Sequence, residues 1–85
     1  KPVKLEKAKY PENALSKGIE GEVHLKLTID ANGRVVNVII VRGIDKELDN
    51  AARSAAFKFI FSTARYNNDP VKTEIPFVYY WEIIE

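Results

Sequence analysis

The chain has 85 residues, 46% of them hydrophobic, with 13 basic and 12 acidic side chains and a formal net charge of +1. That length supports one small domain with a single two-layer core. The near balance of charge argues against a nucleic-acid partner, which calls for a basic excess on one face. The absence of cysteine removes disulfides and thiolate chemistry, and no apolar run approaches the ~18 to 20 residues of a membrane-spanning helix.

Residues 1–9 are basic and mildly apolar, and they read as an extended arm or short strand at the end of a spacer. The chain opens on Lys1 and holds no methionine, so a longer protein with any anchor or address upstream is expected. Tyr10-Pro11 ends the arm, because proline fixes its own φ, biases Tyr10 towards an extended conformation and suits a first helical turn. A short helix over 11–17 follows, with Ala14 and Leu15 available to face inwards and Gly18 placed as its C-terminal cap. Val23, Leu25, Leu27 and Ile29 then alternate with Glu22, His24, Lys26, Thr28 and Asp30, the period of a half-buried strand. Asn32-Gly33 is a strong hairpin signal and folds 23–41 over Asp30-Ala31-Asn32-Gly33-Arg34. The returning strand is apolar on both sides. Alternation assigns Val36, Val38 and Ile40 to the core and leaves Ile39 and Val41 outside.

Asp45 is placed to cap a second helix, whose buried stripe is Leu48, Ala52, Ala55 and Phe59, widened by Ala51 and Ala56. The helix fades over 59–61, and of Phe57, Phe59 and Phe61 two are expected in the core. Residues 66–70 form a turn by composition. Residues 71–84 read as a last strand with Ile75, Phe77, Tyr79, Trp81 and Ile83 on one face. Pro76 lies inside it; a residue with no N–H to donate marks an edge strand. Tyr79, Tyr80 and Trp81 are consecutive, so at least one aromatic faces away from the core. The fold class is α+β, with two helices packed on one face of a small three- to four-stranded antiparallel sheet.

No pattern here carries catalysis. His24 stands alone on a wet strand face, without the partners of a metal site. Ser16, Ser54 and Ser62 lack a nucleophile motif, and the four glycines do not form a phosphate-cradling loop. Asp45, Glu47 and Asp49 read as acids at a helix amino end, where the dipole favours them. No enzyme activity, cofactor or metal is expected, and function is expected from a surface that binds.

Tyr10-Pro11, the run Gly18-Ile19-Glu20-Gly21-Glu22-Val23, Ile29-Asp30, and Asn32-Gly33-Arg34-Val35 follow one another in an order that resembles the C-terminal domain family of TonB. Leu48-Asp49, Ala51-Ala52, Ala55, Phe61, Ala64, Pro70-Val71 and Ile75-Pro76-Phe77 continue the resemblance. Phe59 stands where the family usually carries Trp, and Thr63 where it carries Pro. The resemblance implies a TonB C-terminal-like domain over 10–85, in the periplasm, joined upstream through a proline-rich spacer to an inner-membrane helix that works with ExbB and ExbD. It implies binding of the TonB box of TonB-dependent outer-membrane transporters by strand addition. That contact would pass on energy derived from the proton-motive force for siderophore or vitamin uptake. The partner-binding residues it implies are Lys7, Lys9, Tyr10 and Pro11 beside the arm, and Thr73, Glu74, Ile75, Phe77, Val78, Tyr79 and Tyr80 in the last strand. A TolA-like or sensor-borne periplasmic module is the alternative, and an open edge strand also permits a homodimer.

Overall fold

The central strand is the one with the plainest alternation. In the computed structural model, which describes residues 2–5, 7–67 and 69–83, the order of elements is β1 (Pro2–Lys4), α1 (Glu12–Ser16), β2 (Gly21–Ile29), β3 (Val35–Arg42), α2 (Lys46–Ala56), β4 (Ile60–Phe61), β5 (Ala64–Tyr66), β6 (Asp69–Val71) and β7 (Thr73–Trp81). Lys1 and Glu6 of the expected arm, Asn68 of the expected turn, and Ile84 and Glu85 at the chain end lie outside the described residues. The main sheet is three-stranded and antiparallel, in the order β3-β2-β7, while β1 pairs with β4 and β5 with β6. Val23, Leu25, Leu27 and Ile29 of β2 are buried. They form one cluster with Ala14 of α1, with Leu48, Ala52 and Ala56 of α2, and with Phe59, Phe61 and Trp81. Both helices thus cover one face of the sheet, the expected α+β layering.

The turns follow from side-chain chemistry. Asp30 Oδ1 accepts from the N–H groups of Asn32 and Arg34, both at 2.9 Å, and the Asp30 N–H donates to the Arg34 carbonyl at 2.8 Å. Gly33 adopts φ +85°. This is a three-residue hairpin loop with one left-handed glycine, rather than a two-residue turn that needs two such positions. The Gly33 carbonyl accepts from the Phe61 N–H at 2.8 Å, so the hairpin tip is tied to β4. Asp45 caps α2 as expected, its Oδ2 accepting from Glu47 N–H at 3.1 Å and Leu48 N–H at 3.3 Å.

Three expectations are corrected. Val36 is not a core residue: Val35 is buried and Val36 is 49% exposed. The register explains it, since Ile29 pairs with Val35 and Thr28 with Asn37. Val36 is therefore an extra residue in a bulge, which shifts the alternation by one position. A second bulge leaves Val41 unpaired between the pairs Leu25–Ile40 and His24–Arg42. Leu15 is exposed while Ala14 is buried, because neighbours on a helix point about 100° apart and a single short turn can bury only one of them. The last strand is not continuous from 71. It breaks at Lys72, and 64–71 form the separate hairpin of β5 and β6.

A Cβ at position 33 would lie 2.1 Å from the Phe61 carbonyl oxygen, on a backbone that already has positive φ. Gly33→Ala is expected to cost about 2 to 3 kcal/mol in urea unfolding, from left-handed strain plus the displaced bond to β4. Asn32→Ala, at the exposed neighbouring position, should stay within about 1 kcal/mol. Equal losses at both positions would sink this account of the loop.

Candidate partner-binding edge

The strand β7 pairs with β2 over its whole length, Thr73 opposite Ile29 and Trp81 opposite Gly21, without a register shift. Its other side has no neighbour among the described residues. Pro76 fixes which backbone groups face that open side. It sits opposite Lys26 in an unbroken ladder and has no N–H, so this is a pair whose backbone groups point away from β2. Glu74, Val78 and Tyr80 share its parity. Their N–H groups, and the carbonyls of Glu74, Pro76, Val78 and Tyr80, point away from β2 to the side without a strand neighbour among the described residues. Residues 75, 77, 79 and 81 bond to β2 instead, and their side chains turn to the core: Trp81 is buried, with Ile75, Phe77 and Tyr79 packed against the cluster. Tyr80, on the other face, is 64% exposed.

The arm lies along this edge. The Ala8 N–H donates to the Tyr79 hydroxyl at 2.7 Å. Leu5 and Lys7 of the arm, Phe59, and Phe77, Val78, Tyr79 and Tyr80 of β7 line a groove of about 310 Å³. Aromatic contacts stiffen its floor: Phe59 meets Phe77 edge to face at 5.0 Å, Tyr79 meets Trp81 at 4.9 Å, and Tyr10 meets Trp81 edge to face at 4.9 Å. The Tyr10 hydroxyl donates to the Ile19 carbonyl, which closes α1 back on the arm. Burial, and after it the Glu20 carboxylate, raises the Tyr10 pKa above the ordinary tyrosine value.

A second depression, of about 360 Å³, lies on the outer face of the sheet beside the same strand, lined by His24, Lys26, Val41, Glu74, Pro76 and Val78 among others. Lys26 pairs with Glu74 in its lining at 3.6 Å, and His24 Nε2 lies 3.0 Å from the Glu22 carboxylate beside it. Both are solvent-exposed and worth little on their own. Among the described residues no group of three or more His, Cys, Asp or Glu is placed to hold a metal ion.

The structure thus brings Lys7, Phe77, Val78, Tyr79 and Tyr80 together at one groove. Thr73, Glu74 and Ile75 occupy the far end of the same edge strand. Tyr10 supports the groove through Trp81 and does not line it. Pro11 is the N-cap residue of α1, and Lys9 turns towards α2, beside Ser54 and Lys58. Leu5 and Phe59 are groove residues that sequence reading left out of the site. They are far from β7 along the chain, and no local pattern links them to it.

Two outcomes follow from this geometry. Tyr79→Phe removes the acceptor of the Ala8 N–H, so amide exchange at Ala8 should accelerate while global stability falls by about 1 kcal/mol; an unchanged Ala8 rate would mean the arm is held by other contacts. A folded pKa for Tyr10 above the ordinary tyrosine value of 10.0 leaves stability intact below that pH and removes it as pH rises past 10.0. Unfolding curves taken across the alkaline range should show this loss in the wild type and a smaller one in Tyr10→Phe.

Residues 6–81 match the profile of the family described as Gram-negative bacterial TonB protein C-terminal. The chain is similar to the Protein TonB of Xanthomonas campestris pv. campestris (strain B100), at 42% identity over 60 residues, covering 69% of this chain and 27% of that protein. It is similar to the Protein TonB of Helicobacter pylori (strain J99), at 33% identity over 73 residues, covering 86% of this chain and 26% of that protein. The chain therefore spans about a quarter of the length of the curated relatives it matches. Among solved structures, the solution NMR structure of Pseudomonas aeruginosa TonB CTD superposes with a TM-score of 0.82 at 24% identity, covering all of this chain and 87% of that one. That likeness speaks for the fold. An NMR solution structure of Helicobacter pylori TonB-CTD superposes with a TM-score of 0.55 at 32% identity, covering 91% of this chain and 72% of that one. With the profile matched over nearly its whole length, this chain belongs to the family of Gram-negative bacterial TonB protein C-terminal domains.

Proposed function

We infer that this is the periplasmic binding domain of a TonB-type energy transducer, and that it captures an extended segment, the TonB box of an outer-membrane transporter, by adding it as a strand to β7. The observation that carries this reading is the open edge itself. The N–H groups of Glu74, Val78 and Tyr80 are turned away from β2 beside a groove with an aromatic floor. Main-chain bonds of this kind supply affinity with little dependence on sequence, and flanking pockets supply selection. Lys7, Phe77, Tyr79 and Tyr80 are the side chains positioned to select. In this reading the upstream part of the protein crosses the inner membrane and works with ExbB and ExbD, and force reaching the arm is passed to the captured segment.

Strand addition makes a sharp distinction between neighbouring positions. Val78→Pro deletes an N–H that faces the open side, as Pro76 already does two residues earlier, so the fold should survive with a loss of about 1 kcal/mol or less. Phe77→Pro deletes a ladder bond to β2 and should cost about 3 kcal/mol or more. In a backbone amide shift titration with a synthetic TonB-box peptide, the wild type should show shifts concentrated on 73–80, and folded Val78→Pro should show them greatly weakened. Full binding by Val78→Pro would overturn strand addition at this edge. A wild type silent at millimolar peptide, shown monomeric by sedimentation, would favour a sensor-borne or scaffold role instead. A silent dimer with β7 occupied by a second copy would point to edge pairing.

A further inference from the structure

On the far side of the arm from the β7 groove lies a second channel, between the arm and α2. Its lining is Lys7, Ala8 and Lys9 from the arm and Ala51, Ser54, Ala55 and Lys58 from α2 and the turn after it, around about 400 Å³. No carboxylate is in that lining, and none of the lysines forms an ion pair among the described residues. Their heads are exposed, while Ala8 between the first two packs against the core. The floor is made of methyl groups, with Ala55 buried and Ala51 partly buried. A chain this close to neutral has placed three cations, none of them ion-paired among the described residues, around one shallow trough.

We propose that this trough docks an acidic stretch of the same partner polypeptide whose extended segment pairs with β7; the inference rests on the strand-addition reading. Three features select a polypeptide. Lys7 lines both grooves, so a chain leaving the β7 edge past Lys7 enters the trough directly. Lys7 and Lys9 are two residues apart on a non-helical arm, roughly 6 to 7 Å, the repeat of same-side carboxylates on an extended peptide. The methyl floor accommodates the aliphatic stems of Glu side chains. The carboxyl end of α2 opposes an anion with roughly half a negative charge, and the lysines outweigh it.

The test is titration calorimetry and amide shift mapping on the full chain with synthetic peptides. They are a Val/Thr-rich extended heptapeptide, the same peptide with three glutamates at one end or the other, the same with three lysines, and an anionic polysaccharide, polygalacturonate. Exposed ion pairs are individually weak, so three together are expected to tighten binding about tenfold. At about 50 mM salt the better-placed glutamate flank should reach this gain, with shifts spreading to Ser54 and Lys58, and it should shrink below about twofold at about 500 mM as the Debye length falls. Lys58→Glu should cut the gain to about threefold or less while leaving the unflanked peptide and the thermal melt unchanged. Lys7→Glu/Lys9→Glu/Lys58→Glu should prefer the lysine-flanked peptide over the glutamate-flanked one.

Equal affinity for flanked and unflanked peptides, with shifts still centred on β7, would overturn the acidic dock and leave strand addition standing. Failure of every peptide to shift β7 would overturn both. Polygalacturonate mapping to Ser54 and Lys58 more tightly than the glutamate flank would overturn the peptide assignment in favour of an anionic glycan.

Discussion

The domain depends on one constraint, the central position of β2. Every second residue from Val23 to Ile29 is buried, and both sides of its backbone are engaged, one by β3 and the other by β7. Because side chains alternate strictly along a strand, the core face and the wet face of the whole sheet follow from the phase of this one segment. The helices have a single apolar surface to cover, and they cover it with small residues. Ala14, Ala52, Ala55 and Ala56 let the backbone of each helix approach the strands closely, leaving Leu48, Phe59 and Trp81 to fill the remaining volume.

The same arrangement leaves both edge strands, β3 and β7, without a further strand neighbour among the described residues, and manages the two differently. An unpaired strand edge invites association with any extended chain. On the β3 side, two bulges displace Val36 and Val41 and disturb the pairing pattern. On the β7 side, the register with β2 has no shift and the edge stays regular. Pro76 removes one donor from it without breaking the ladder, and the arm, held by the Ala8–Tyr79 bond, lies beside it. One edge of the sheet is thus irregular, and the other is straight and flanked by aromatic rings.

The arm carries more than its composition suggests. It contributes Leu5 and Lys7 to one groove and Lys7 and Lys9 to another, while Tyr10 braces Trp81 beneath the edge. The arm meets β7 through Tyr79 and Trp81 rather than through the central strand. The indole N–H of Trp81 is buried and finds no acceptor among the described residues, which costs about 1 to 3 kcal/mol and is offset by the packing of a large ring against the core cluster.

Sequence by itself determined the parts that rest on local chemistry. Alternation in 23–29 specified β2 and its buried face, Asn32-Gly33 specified the hairpin, Asp45 and the Leu48-Ala52-Ala55-Phe59 stripe specified α2, and Pro76 specified an edge. Each is set by neighbours a few residues away. Only the tertiary structure decided which valine of β3 is buried, because a bulge shifts parity through pairing with another strand and leaves no mark in the alternation itself. It also decided that the last strand starts at Thr73, since the short strands at 64–71 pair with each other. The candidate site was half legible for the same reason. The edge strand could be read from its proline. Leu5, Phe59 and Lys58 join the grooves beside residues distant from them in sequence, and residue order holds no period that reports such contacts.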